Sequence, residues 1–310
     1  MTTSIRLKSN KIPAILPIAV NDRYNNLDYQ RLKILLFSLQ KCQADSWLDQ
    51  LYIVTPSHQQ RLIKKECQNI DFIKINILAE EDFFPEFTKF SYWGYRKQML
   101  IKLGAVRLVE TEFFLTLDSD IICLKKITPE ELIVDGKALL NYENKKEHPD
   151  WWKASAEILS FPLSEDSSGM GVTPAILSST ICKYIIEEIE NKFQKNWISV
   201  LINIKNNLFW TEYSLYFLCA QKKNCLTRYH LEYLDERNIK LIDDNYTVWS
   251  SKQIKKLQTN QFLLPSGLFA VLQSSTKITL ETILNHLPNM LRISHDDQQL
   301  LELRAELLSV

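Results

Sequence analysis

Two aspartates, Asp118 and Asp120, close an apolar run in the segment Phe113–Ile122, FFLTLDSDII. In an extended chain, residues i and i+2 point to the same side. The spacing therefore predicts both carboxylates on one face. Two carboxylates a few ångströms apart repel unless a cation lies near them. Few protein oxygens and an open face suit Mg²⁺ or Mn²⁺, which keep water and phosphate oxygens as their other ligands. A bare D-x-D also ends many strands in ordinary turns. Here an apolar strand precedes it, and three strand units precede that.

Such a pair must be held by a sheet. Ala14–Val20, Gln50–Val54, Phe72–Leu78 and Phe113–Leu117 read as buried strands. Helical spacing falls between them, at Asp28–Lys41 (Leu32, Leu35, Leu36 and Leu39 on one face), Gln59–Gln68 and Tyr95–Val109. Alternation of this kind predicts an α/β fold with a mostly parallel sheet flanked by helices. The aspartates then fall at the C-terminal end of a parallel strand, where such sheets bind ligands. The second half is less regular. Ala138–Tyr142, Gly171–Leu177 and Phe262–Gln273 are strand candidates, and Ser179–Gln194 and Thr211–Ala220 read as helices. Ser294–Leu308 reads as a terminal amphipathic helix with Ser294 as N-cap and Asp296 and Asp297 in its first turn. The pattern divides the chain into a domain over 12–275 and a C-terminal helical extension over 276–310.

Composition narrows the classes. The 310 residues carry 37 basic and 37 acidic side chains, a net charge of zero. Coating nucleic acid would need an excess of Lys and Arg, so no nucleic-acid partner is expected. The chain holds only 6 Gly and neither G-x-x-x-x-G-K-[ST] nor G-x-G-x-x-G, which excludes glycine-loop phosphate cradles. The six cysteines form no C-x-x-C pair and read as free thiols. Met1–Val20 imitates a secretory signal, but Pro13 and Pro17 interrupt its apolar run and no cleavage site follows. No run reaches the ~20 apolar residues of a membrane span. A cytoplasmic protein is expected, and work at the inner membrane surface is compatible with that.

The segment around Leu117-Asp118-Ser119-Asp120 resembles the D-x-D motif of GT-A-type glycosyltransferases. A longer set of blocks, Tyr95–Leu103, Glu110–Phe113, Met170–Ser178 and Trp210–Tyr216, resembles a bacterial glycosyltransferase-like family linked to capsule and surface polysaccharide. The resemblance covers roughly Ile12 to Ser275. It implies a Rossmann-like sheet, a UDP- or GDP-linked sugar donor, Mn²⁺ or Mg²⁺, and a glycan or lipid-linked acceptor. Asp120, and less directly Asp118, would hold the metal, which neutralises charge on the departing diphosphate. Asp118 and Ser119 would also face the nucleotide.

The other candidates follow from spacing and resemblance together. Gln98 and Lys102, four apart, share a helix face that would turn toward nucleotide or phosphate, with Arg96 on the diphosphate; a solvated helix face is the plain alternative. Asn21, Asp22 and Arg23 follow the first strand and by resemblance hold base or ribose; a polar turn is the alternative. Gly169, Met170 and Gly171 by resemblance adjoin donor sugar and acceptor; a simple loop is the alternative. Glu212, beside Trp210 and Tyr213, could accept a proton from an acceptor hydroxyl or merely favour a helix N-terminus. Trp151-Trp152 is a sugar platform or core. A third metal ligand would come from His230, His286 or His295, with His295 preferred because it precedes Asp296 and Asp297.

Rival chemistries use the same residues. A haloacid-dehalogenase-like phosphatase would take Asp118 and Asp120 as nucleophile and acid, with Asp243-Asp244 as its later pair. Its nucleophile strand belongs near the start of the domain, however, and Ile122 stands where it needs Thr. A nucleotidyltransferase would need a glycine-rich loop after the first strand. A non-catalytic carbohydrate-binding protein is the third alternative.

Overall fold

The computed structural model of the chain describes residues 11–20, 27–89, 94–204, 209–231, 239–260 and 262–308. In chain order the first half contains β1 (Ile12–Pro17), α1 (Leu27–Lys41), β2 (Leu48–Thr55), α2 (Gln60–Glu66), β3 (Lys74–Ala79), α3 (Gly94–Leu103), β4 (Phe113–Thr116) and β5 (Ile121–Cys123). The second contains α4 (Pro149–Leu159), β6 (Ala175–Ser178), α5 (Ser179–Phe193), α6 (Trp197–Asn203), α7 (Glu212–Lys222), β7 (Lys240–Ile242), β8 (Gly267–Val271), α8 (Leu280–Leu291) and α9 (Gln298–Leu308).

Strand β1 is buried at all six positions because it lies in the middle of the main sheet. That sheet has the order β6-β4-β1-β2-β3. Strands β4, β1, β2 and β3 run parallel, with Ala14 opposite Leu115 and Ile15 opposite Tyr52. Edge strand β6 is antiparallel to β4. Parallel strands covered on both faces need near-continuous apolar runs, which is what FFLT supplies in β4. Leu32, Leu35, Leu36 and Leu39 of α1 are all buried, as their spacing predicts. A second sheet, ordered β7-β8-β5, pairs β8 antiparallel with β5. The chain passes from one sheet to the other through the residues between β4 and β5.

Helix α7 is buried from Glu212 to Ala220 and packs against α4 and α5. A helix apolar on nearly every side belongs inside the protein. Helices α8 and α9 pack on α1. Among the described residues, no helix is long and apolar enough to cross a membrane, and the six cysteines are free and buried.

Three expectations need correction. Ala138–Tyr142 is not a strand; only Lys137–Ala138 pairs, in a short ladder with Ile133–Val134. The strand expected over Phe262–Gln273 begins at Gly267, and Phe262, Leu263 and Leu264 are exposed. The N-cap of α9 is Asp297, not Ser294: its Oδ1 accepts from the Leu300 N–H at 3.1 Å.

Candidate active site

Asp118, Ser119 and Asp120 form the connection between β4 and β5. The Asp118 carbonyl accepts from the Ile121 N–H at 3.3 Å, so the aspartates lie in a turn rather than on an extended chain. The main sheet fixes one end, through Leu117 N–H to the Ile15 carbonyl at 2.9 Å. The second sheet fixes the other, through Leu272 N–H to the Asp120 carbonyl at 2.9 Å. Both side chains still reach the same space, because both line the two clefts that meet here.

Lys102 organises one side. The last turn of α3 is buried at Met99 to Leu103, which carries Lys102 inside with only 4% of its side chain exposed. Its ammonium lies 2.9 Å from Asp118 Oδ1 and 3.3 Å from Glu212 Oε1, and donates to Thr173 Oγ1 at 2.8 Å. Burial works against this charge, but Asp118, then Tyr213 and Glu212, outweigh it and hold the ammonium protonated. Tyr213 closes the group, with its hydroxyl 2.7 Å from Thr173 Oγ1 and 2.9 Å from Thr116 Oγ1.

Asp120 is held differently. Its Oδ2 accepts from the Ser274 N–H at 2.9 Å. Burial first, and the neighbouring Asp118 second, push its carboxyl up to about 6. Arg31 of α1 offsets part of this, although its Nη1 is committed to the Leu272 carbonyl at 2.5 Å. A carboxylate destabilised by its surroundings, with one oxygen left over and a cleft in front of it, suits a divalent cation. Among the described residues, no third carboxylate, His or Cys completes a metal-binding cluster. Water and ligand oxygens would have to supply the other positions, as they usually do for Mg²⁺.

The two clefts extend on either side of the pair. One, of about 320 Å³, is lined by Pro17 at the end of β1 and Ile18 and Ala19 beyond it, with Asp28, Ser119 and Ser274. The other, of about 150 Å³, is lined by Lys102, Trp151, Gly171, Glu212 and Trp249 among others. Tyr95, Gln98 and Gln273 line both.

The structure sorts the sequence candidates. Gln98, Lys102, Asp118, Ser119, Asp120, Gly171 and Glu212 come together around these clefts. Arg96 does not: its Nη1 donates to the Ile202 carbonyl of α6 at 3.1 Å, on another face of α3. Met170 is fully buried and lines neither cleft. Gly169 answers to packing, since a Cβ there would lie 2.3 Å from the Trp152 ring. The tryptophan pair divides, with Trp152 in the core and Trp151 on the cleft. His295 is exposed in the turn between α8 and α9 and lines neither cleft. His230 is buried against Tyr216, with Nε2 2.7 Å from its hydroxyl. Asp243 is spent on backbone, accepting from the N–H groups of Asn245, Tyr246, Ser266 and Gly267, and so offers no acidic pair to a phosphatase site. Asn21, Asp22 and Arg23 lie outside the described residues.

Several site residues escaped the sequence reading. Arg31 left one signal, a charged residue next to Leu32 on the apolar face of a predicted helix. Thr173, Trp249 and the Ser274 N–H are brought in by pairing across sheets and helices, which no local pattern shows, and Tyr213, read only as an aromatic neighbour of Glu212, acts here through its hydroxyl.

The chain matches, over residues 9–295, the model of a family described as a family of unknown function (DUF6492). No curated protein matches it. Among solved structures it is similar to mouse xyloside xylosyltransferase 1 in its apo form, with a TM-score of 0.50 at 12% identity over 87% of this chain and 100% of that one. It is also similar to the galactosyltransferase LgtC in complex with donor and acceptor sugar analogues (TM-score 0.44, 9% identity, 94% and 100% covered). A third is the glycosyltransferase GlyE of Streptococcus pneumoniae TIGR4 (TM-score 0.46, 13% identity, 96% and 63% covered). The fold assignment rests on the first. The mixed sheet flanked by helices is a GT-A-like architecture.

Proposed function

We propose that this chain, which belongs to the DUF6492 family of unknown function, transfers a sugar from a UDP- or GDP-linked donor to a hydroxyl of a glycan or lipid-linked acceptor, with Mn²⁺ or Mg²⁺. The reading places it in the cytoplasm, in surface-polysaccharide synthesis. One observation carries it: Asp118 and Asp120 lie in the turn that follows the parallel strand β4, and both line both clefts. The larger cleft lies past the C-terminal end of β1, where α/β sheets receive nucleotides. The smaller, with Trp151 and Trp249 on its walls, offers aromatic faces to an acceptor sugar.

In the reaction, the donor's bond from C1 to phosphate oxygen breaks and a bond from C1 to the acceptor oxygen forms. A cation held by Asp118 and Asp120 would neutralise the charge that develops on the diphosphate. Lys102 fixes Asp118, and the Ser274 N–H fixes Asp120. Thr211 caps α7, accepting from the Ser214 N–H at 3.1 Å, and so sets Glu212 at the helix start on the cleft wall. Burial raises the Glu212 carboxyl, and Lys102 partly offsets this. The group is thereby poised to take the acceptor's hydroxyl proton.

Calorimetry of UDP and of GDP, with and without Mn²⁺, tests the assignment. Metal-dependent binding of one nucleotide, lost in Asp120→Ala, is expected. Binding that survives unchanged in that variant would overturn it.

A further inference from the structure

Phe262, Leu263 and Leu264 form an apolar tip at the surface, with Phe262 82% and Leu264 77% exposed. The backbone beneath it is secured. The hydroxyl of the fully buried Tyr246 donates to the Leu263 carbonyl at 2.7 Å, and the Leu263 N–H donates to the Asn260 carbonyl at 2.9 Å. The Arg292 guanidinium donates to the same Leu263 carbonyl. The tip is thus held with its side chains outward, an arrangement that water alone does not favour.

Its surroundings are basic. Lys255 and Lys256 lie on the short helix Lys255–Thr259 just before the tip, Lys252 lies one turn earlier, and Arg292 reaches it from the end of α8. From Asn245 to Leu280 the sequence has four Lys and no Asp or Glu, in a chain whose net charge is zero. The nearest preceding acids are engaged, Asp243 on backbone N–H groups and Asp244 with Lys240 at 3.0 Å. Apolar side chains projecting from a basic surface match an interface between acyl chains and anionic headgroups. A stable dimer needs roughly 800 Å² from each partner, more than a three-residue tip provides.

We propose that the Phe262–Leu264 tip and its flanking lysines dock this protein on an anionic phospholipid surface. Tyr246, which anchors the tip, lies three residues from Trp249 on the cleft wall. The attachment requires no assumption about the reaction.

Co-sedimentation of the full chain with vesicles of phosphatidylcholine alone, and of phosphatidylcholine mixed with phosphatidylglycerol, tests it. Binding to the mixed vesicles, weakened by salt, is expected. Phe262→Ser with Leu264→Ser should lower partitioning by more than about tenfold, since two exposed side chains lose their apolar contact. Lys252→Glu with Lys255→Glu should lower it at least about fivefold for each cation removed. All four positions are exposed, so unchanged melting temperatures check that the variants fold. Absence of binding to the mixed vesicles would overturn the proposal. So would binding indifferent to both variant pairs, or a tip variant that converts a dimer to a monomer while leaving vesicle binding intact.

Discussion

The Lys102 ammonium lies 2.9 Å from Asp118 Oδ1, at a depth where 4% of the lysine side chain meets solvent. The first aspartate of the pair is therefore already paired within the protein, while Asp120 receives one backbone N–H and keeps an oxygen for the cleft. The ammonium meets two carboxylates, Asp118 and Glu212, a third carboxylate, Asp120, stands beside Asp118, and Arg31 adds a partial offset at Asp120. The site is electronegative as it stands. An anionic diphosphate would be repelled from it unless a cation came too. The zero net charge of the whole chain adds no general attraction, so under the proposed function any attraction for phosphate would have to be local.

Removing Lys102 should be expensive. Lys102→Met would leave Asp118 and the buried Glu212 facing each other without a cation between them. Breaking one side of a buried ion pair destabilises by ~3–5 kcal/mol. Urea denaturation should show a loss of that size, and adding Glu212→Gln should recover part of it. A single variant as stable as the parent would mean that the ammonium contributes nothing to the fold.

Metal binding should weaken in acid. A ligating carboxylate must be deprotonated, so protons compete with the cation below its pKa. Burial, then Asp118, push the Asp120 carboxyl up to about 6. The Mn²⁺ affinity measured by calorimetry should therefore be level above that value and fall roughly tenfold per pH unit below it. Asp120→Asn should abolish both the affinity and its pH slope; a slope retained in that variant would assign the titration to another group.

The site was readable where local pattern and topology agreed, and unreadable where topology alone decided. An apolar run ending in two acids located the pair just past β4, though in a turn and not on the extended chain that the spacing predicted, and four-residue spacing placed Gln98 and Lys102 on the cleft side of α3. The same helix misled at Arg96, because two residues from Gln98 is about 200° around a helix, where α6 waits with the Ile202 carbonyl. Glycine pairs suggest ligand approach, yet Gly169 makes room for Trp152. Apolar residues from Phe262 onward looked like strand because period and composition do not say which apolar residues find a neighbour.

At Gly171 the outcome depends on one contact. Gly171 lines the smaller cleft, and a Cβ there would lie 1.4 Å from Glu143 Oε2, so Gly171→Ala must displace that carboxylate. The nearest atoms all belong to the far end of that flexible side chain, which can swing aside, so the loss should stay at or below about 1 kcal/mol, the low end for overpacking. Pairing it with Glu143→Ala should restore stability, as thermal unfolding would reveal. A double variant no better than the single one would locate the clash in the backbone.

His230 should make the fold acid-sensitive. It is buried, and its Nε2 lies 2.7 Å from the Tyr216 hydroxyl, which accepts from the Ser178 N–H at 2.7 Å. The Tyr216 proton is then best placed on a neutral Nε2, an arrangement that a second proton on the ring would break. Burial pushes the His230 pKa down from the ordinary 6.5 to about 4. Between those values the unfolded chain binds a proton that the folded one refuses. Stability is therefore complete above the unfolded value and declines as pH falls toward the folded one, by up to about 1.4 kcal/mol per unit. Asp120 and Glu143, both raised to about 6, act in the opposite direction over part of this window. The test is accordingly a difference: urea denaturation of the parent and of His230→Gln at several pH values between 7 and 4.5. The variant should start less stable and lose less on acidification, and parallel curves would show that His230 is protonated in the fold at no cost.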